Sequence, residues 1–224
     1  MLDFADARRR MVDNQIRTAD VTHRPLLTVM DELPREVFLP EASKPFAYSD
    51  RHLEVGRIEA TGEARYALAP VLAARMIQAV EPIEGSKVLH VACGTSYASA
   101  IFAKLGAASV VALDEDAKLI VSAQAALAAV GVTGVTALAG PLADGGKGKG
   151  PYDVIFIEGA YEDEPASLTA LLAESGRMIG VQGLGRAGQV MLQVKTAGAI
   201  TGRAVFDASA PLVAAFAKAP AFAF

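Results

Sequence analysis

The sequence predicts a doubly wound α/β fold: a mostly parallel seven-stranded sheet with helices on both faces and an antiparallel hairpin at its C-terminal edge. Two observations predict it. From residue 87 onward, short apolar runs alternate with helical patterns, and such alternation implies parallel βαβ units with right-handed crossovers. Near the end the helices stop, and two strand-like runs follow one another with no helical pattern between them, so they pair antiparallel.

The elements follow in order. Residues 1 to about 50 read as helical, with Met11, Ile16, Leu26, Leu27, Met30 and Leu33 forming an interrupted amphipathic pattern that Pro25, Pro34, Pro40 and Pro45 punctuate. Residues 51 to 69 have weak periodicity and mixed charge, which suggests an extended connection. Pro70 suits a first helical position, and a helix follows to Val80. Lys87–Val91 is a short buried strand, Ala92–Ser96 a turn of small residues, and Tyr97–Leu105 a helix closed by Gly106. Strands are expected at 109–113, 135–139, 152–157 and 177–181, with helices at 117–129 and 165–174. The runs 189–195 and 202–207 supply the edge hairpin. One domain is expected over 1–224, with a helical and extended region at 1–69 and the sheet-bearing core at 70–224.

Composition narrows the function classes. A chain of 224 residues that is 52% hydrophobic and 21% charged can bury a substantial core and is not disordered. A net charge of −4 offers no general attraction to nucleic acid or anionic lipid, so neither is expected as a partner. Cys93 is the single cysteine, and no Cys/His cluster has zinc spacing, so a reducing cytoplasm and no metal are expected. Leu119–Ala143 carries no charge, but its glycines and Pro141 make it a core helix, a turn and a strand rather than a membrane span.

In an open α/β sheet, ligands sit beyond the carboxyl ends of the strands at the switch point. The first strand–turn–helix unit here is His90-Val-Ala-Cys-Gly-Thr-Ser-Tyr97. Its small residues admit a ligand close to the backbone, and the helix after it offers free N–H donors. Asp114 stands 20 residues after Gly94, where a carboxylate accepts the ribose hydroxyls of an adenosine. The plainer reading is that Asp114 and Glu115 cap the next helix. Glu158 follows a strand ending at Ile157 and either contacts a ligand or caps a helix.

Other features have plainer explanations. Gly183-Leu-Gly-Arg-Ala-Gly188 spells a dinucleotide motif, but a strand follows it instead of the required helix, so a hairpin loop is expected. Gly145–Gly150 reads as a surface connection. His23, His52 and His90 show no triad or metal spacing, so structural roles are expected.

Met11-Val-Asp-Asn-Gln-Ile-Arg17, Leu33-Pro-Arg-Glu-Val-Phe-Leu-Pro40 and Ala47-Tyr-Ser-Asp50 resemble the N-terminal region of protein-L-isoaspartate O-methyltransferases. The turn 87–97, Asp114 and Tyr152–Ile157 fall in that family's order. The resemblance implies a class I S-adenosylmethionine-dependent methyltransferase fold. It implies methyl transfer from S-adenosylmethionine to the α-carboxylate of isoaspartyl residues in damaged proteins or peptides. Residues 1–69 would lie on the substrate side, and the chain would act as a monomer or homodimer. The cofactor-binding candidates are Ala92, Gly94, Thr95, Ser96, Asp114, Glu115 and Glu158; no catalytic residue is assigned.

The chain departs from the family pattern at both functional segments. The usual E-I-G-T-G-S-G-Y is His90–Tyr97 here, with only Gly94 kept of three glycines. A Cβ at positive φ costs about 1 kcal/mol at Ala92 or Ser96, and His90 replaces an acid. The family's Gln-Thr-Ile-Ser-Gln-Pro reads Arg65-Tyr-Ala-Leu-Ala-Pro70, which puts Leu68 in place of a hydroxyl. Gly140-Pro-Leu142 replaces a Gly-Asp-Gly stretch. Two alternatives therefore stand beside the family activity: a catalytically impaired relative serving as a binding or scaffold protein, and a methyltransferase whose different acceptor is positioned by Arg65 or Tyr66.

Overall fold

The computed structural model describes residues 3–218. At the N-terminus, α1 (Phe4–Met11) is capped by the Asp3 carboxylate and runs through a wider turn at 12–16 towards α2 (Arg24–Glu32). Their apolar stripe of Met11, Ile16, Leu26, Leu27 and Met30 is fully buried, which matches the amphipathic pattern read from the sequence.

The segment 51–69 is more ordered than an extended connection. It forms an antiparallel hairpin of β1 (Leu53–Arg57) and β2 (Ala64–Ala67), with a bulge between Glu54 and Gly56. Its burial alternates along each strand, a two-residue period too short to register against the charges around it. Helix α3 (Pro70–Ala79) opens on Pro70 as expected.

The core sheet contains β3 (Lys87–Val91), β4 (Ser109–Asp114), β5 (Val135–Ala139), β6 (Tyr152–Tyr161), β7 (Leu172–Gln182), β8 (Gln189–Thr196) and β9 (Ala199–Asp207). Their order is β5-β4-β3-β6-β7-β8-β9, parallel from β5 to β7, with β8 antiparallel to both of its neighbours. The chain leaves β3 on one side towards β4 and returns on the other at β6. The switch point therefore lies between β3 and β6.

Helices α4 (Tyr97–Lys104) and α5 (Ala117–Ala129) stand where the sequence placed them. The expected helix 165–174 shrinks to α6 (Ala166–Thr169), because Leu172 already pairs with Tyr152 as β7 begins. Gly183–Gly188 is a short turn between β7 and β8, a hairpin loop as expected. The 145–150 connection is less free than expected: Gly145 and Gly146 are buried, and the Tyr152 hydroxyl donates to the Gly145 carbonyl at 2.8 Å.

Strand side chains alternate between two apolar layers. Val88, Val110, Val154, Phe156 and Ile179 face one layer with α3, α4 and the N-terminal helices. Leu89, Val91, Val111, Leu113, Ile155 and Ile157 face the other with Leu142 and Leu168. The uncharged stretch 119–143 is α5, a turn and β5; among the described residues no helix is long and apolar enough to cross a membrane.

Candidate functional site

The carboxyl ends of β3, β4 and β6 bring all seven sequence-named residues to one rim. The turn after β3 keeps a left-handed backbone at three positions: Ala92 (φ 57°), Gly94 (φ 50°) and Ser96 (φ 70°). Only glycine adopts that conformation without penalty, so Ala92 and Ser96 each hold strain of about 1–2 kcal/mol. Ser96 N–H donates to the Cys93 carbonyl at 2.7 Å and closes the turn. Thr95 is buried, with its hydroxyl donating to the Phe38 carbonyl, which ties the turn to the 33–40 segment. Burial pushes the Cys93 thiol well above its ordinary pKa, so it is an unreactive core group.

Asp114 ends β4 with no exposed surface. Its Oδ2 accepts from Gly94 N–H at 2.9 Å, and its Oδ1 accepts from Glu115 N–H at 2.8 Å. It is not the cap of α5. That position belongs to Asp116, whose carboxylate accepts from Lys118 and Leu119 N–H, and backbone donation from Glu59, Leu119 and Lys118 holds its pKa below the ordinary value. The capping alternative for Asp114 and Glu115 is therefore set aside.

Glu158, continuing β6, caps no helix either. Its Oε1 accepts from Leu68 N–H at 3.1 Å, and its Oε2 lies 2.7 Å from His90 Nε2. On its other side, His90 Nδ1 is 2.7 Å from Ser99 Oγ. The fold thus aligns Ser99, His90 and Glu158, a juxtaposition that no sequence spacing announces. Ser99 and His90 have no exposed surface, so the line serves as an internal polar brace and not as a nucleophile with its base.

The hairpin β1–β2 lies across this rim. Val55 seats directly on the turn: a Cβ added to Gly94 would meet its Cγ2 at 2.8 Å. Arg65 points inward with 3% of its side chain exposed. Its Nε donates to Asp114 Oδ1 at 3.2 Å, one terminal nitrogen donates to Glu115 at 2.6 Å, and the other pairs with Glu63. Burial alone would lower the Arg65 pKa, but the Asp114, Glu63 and Glu115 carboxylates together raise it. Glu115 is pushed up by burial first, with Arg65 opposing and the neighbouring acids adding. Arg65 is thus committed to the rim acids and does not reach outward to an acceptor, which leaves only Tyr66 of the two residues named for that alternative.

Leu68 is fully buried, and its carbonyl accepts from the buried Arg35 guanidinium at 2.8 Å. The C-terminal segment adds a further cover: Ala160 bridges to Leu212, and Ala214 N–H donates to Glu63 at 2.9 Å. A cavity of about 240 Å³ lies at the carboxyl ends of β4 and β5, lined in part by Leu113, Leu138, Gly140, Pro141 and Lys147 but not by Asp114.

Sequence reading named the acids and the turn but not their partners. Glu63, just before β2, and Arg65 within it stand two residues apart, a spacing that could have suggested a mutual pair. Nothing in the sequence marks Val55.

Comparison with known proteins identifies the lineage. The family model for protein-L-isoaspartate(D-aspartate) O-methyltransferase matches residues 6–208. A protein-L-isoaspartate O-methyltransferase of Roseiflexus sp. (strain RS-1) is 32% identical over 197 residues, covering 88% of this chain and 86% of the relative. Another from Methanoregula boonei is 34% identical over 175 residues, covering 78% and 77%. A solved protein-L-isoaspartate O-methyltransferase structure superposes with a TM-score of 0.79 at 23% identity, covering 92% of this chain and 65% of that one. A second, from Plasmodium falciparum and described as a candidate member in complex with S-adenosyl-L-homocysteine, superposes with a TM-score of 0.72 at 18% identity, covering 91% and 96%. With a switch-point turn, an acid ending β4 and a relationship that runs through nearly its whole length, the chain belongs to the protein-L-isoaspartate(D-aspartate) O-methyltransferase family.

Proposed function

We propose that this chain is an S-adenosylmethionine-dependent methyltransferase acting on isoaspartyl carboxylates of damaged proteins or peptides. One observation carries the reading: the turn 92–96 keeps its left-handed shape even where side chains strain it, directly beside an acid bonded to its central amide. Strain retained at a ligand-side turn points to function. The residues that would hold the donor are the backbone of Ala92, Gly94, Thr95 and Ser96 and the carboxylates of Asp114 and Glu115, with Glu158 on the same rim. The lone free Cys93 suits a cytoplasmic protein, and the chain would act as a monomer or homodimer.

The described conformation does not fit the donor. Arg65 already holds the Asp114 oxygen that ribose hydroxyls would need, and Val55 covers Gly94. Donor binding therefore requires the hairpin to move.

The test is incubation with an isoaspartyl peptide and radiolabelled S-adenosylmethionine, followed by measurement of base-labile methyl ester. Ester formation well above a peptide-free blank is expected. None, under conditions where another family member is active, would reject the reading in favour of a non-catalytic relative, for which the filled rim is the supporting observation. Labelling of other proteins with none of the peptide would indicate a different acceptor.

A further inference from the structure

We propose that the β1–β2 hairpin is an autoinhibitory latch, in which Arg65 occupies the acid cluster of Glu63, Asp114 and Glu115 and keeps a nucleoside ligand out until the hairpin lifts. The proposal rests on the methyltransferase reading, because it names what that reading's donor must displace.

The chemistry of exclusion is direct. A ribose binds an acid at the end of a strand by donating hydroxyl hydrogens to its oxygens. Arg65 donates its Nε–H to Asp114 Oδ1 at 3.2 Å and a terminal N–H to Glu115 at 2.6 Å, while the other Asp114 oxygen accepts from Gly94 N–H at 2.9 Å. Guanidinium and ribose are thus competing donors to the same lone pairs. Charge reinforces the contact, since one cation answers three carboxylates in a buried setting where charge-assisted bonds are strong. Shape reinforces it again. Val55 rests on Gly94, and Gly56 approaches α5 so closely that a Cβ there would lie 2.6 Å from Leu119 Cδ2.

The hairpin is also built to leave as a unit. Its strands are five and four residues long and pair only with each other, outside the seven-stranded sheet. A lone two-stranded hairpin is marginal in water, so its order depends on docking. Its tip is attached by Glu59 N–H donating to Asp116 Oδ2 at 2.7 Å and by an exposed Lys118–Glu59 pair at 2.9 Å. Its C-terminal end is held firmly, with Leu68 N–H bonded to Glu158 and the Leu68 carbonyl to Arg35. Lifting would therefore pivot near Leu68, releasing the Glu59 contacts at the tip and then those of Arg65. Such low-stability local openings are where ligand gates arise.

Hydrogen exchange and calorimetry on the full chain test the latch, with S-adenosylhomocysteine as the probe. In ligand-free Arg65→Ala, the amides of residues 53–67 are expected to exchange faster than in wild type while those of the seven-stranded sheet stay protected. The probe is expected to bind Arg65→Ala about tenfold more tightly, since an entry-competent state populated near 10% reduces apparent affinity by that factor. Val55→Ala is the second variant should Arg65→Ala fail to fold, and it is expected to tighten binding in the same direction. Equal affinity in wild type and variants, unchanged hairpin exchange, or slower hairpin exchange with the probe bound would each overturn the latch while leaving the methyltransferase reading intact. Faster hairpin exchange with no probe binding in any variant would reject the donor itself, and with it both the reading and the latch's role.

Discussion

The body of the sheet and its carboxyl rim are held by opposite means. In the body, Val88, Leu89, Val154, Ile155 and Phe156 are completely buried, and no charge is needed to order them. Each burial is favourable by itself, so the layers form wherever the pattern alternates. At the rim, Arg65, His90, Asp114 and Glu158 are also buried, yet each is tolerable only because something answers it. The difference teaches that the body sets stability and the rim sets which conformation of the site exists. A body defect should unfold the protein, whereas a rim defect should chiefly alter what the site admits.

The strongest test of that contrast is Phe156→Ala. Phe156 stacks edge-on against Phe102 at 5.4 Å and against His90 at 5.5 Å, between the two regions. Its truncation is expected to destabilise the fold by about 3–5 kcal/mol, read from denaturant unfolding. A loss below about 1 kcal/mol would mean that the body is less tightly packed than its burial indicates.

Acid provides the next test. His52 accepts from Ala69 N–H at Nδ1 and donates from Nε2 to the Ser209 carbonyl, an arrangement that only the neutral ring can make. Burial lowers its pKa below 6.5, with the Ser209 contact opposing. A histidine held neutral contributes stability that is fully present above the unfolded value of 6.5. That contribution is lost as pH falls from there through the lower folded value. Thermal melting from pH 7.5 to 5.5 should therefore decline in wild type and decline less in His52→Gln. Identical slopes would remove His52 from the account.

Asp116→Ala should cost about 1 kcal/mol through the lost cap of α5. Because Glu59 N–H also bonds this carboxylate, the substitution should also speed amide exchange at the hairpin tip. An effect confined to α5 would separate the cap from the hairpin. The smallest expected effect runs the other way. Ser96→Gly relieves a left-handed residue at φ 70° and should stabilise the fold by roughly 0.5–1 kcal/mol, a gain partly offset by glycine's greater unfolded freedom. Destabilisation would show that the Ser96 side chain compensates for its own strain.

Much of the fold is legible in the sequence. Strand positions, the α5 boundaries and the edge hairpin follow from periodicity and from turn residues such as Gly106. The helix expected at 165–174 was not, because its Ala- and Leu-rich stretch favours a helix and the pairing of Leu172 with Tyr152 overrode that preference. Of the rim, Asp114 and the turn were legible from a spacing of 20 residues, since a βα unit has nearly constant length. The line from Ser99 through His90 to Glu158 was not, because Glu158 comes from a strand 68 residues after His90.

By itself the sequence determined the layered sheet, the position of the switch point, the kinship of the N-terminal block and the two places where the family pattern is rewritten. These are local properties, written in periods of two and 3.6 residues and in short motifs. Only the tertiary structure decided that Arg65 turns inward to Asp114, that Val55 rests on Gly94 and that Asp116 rather than Asp114 caps α5. A buried charge goes where its partners are, and partners 49 residues apart become neighbours only once the sheet has formed.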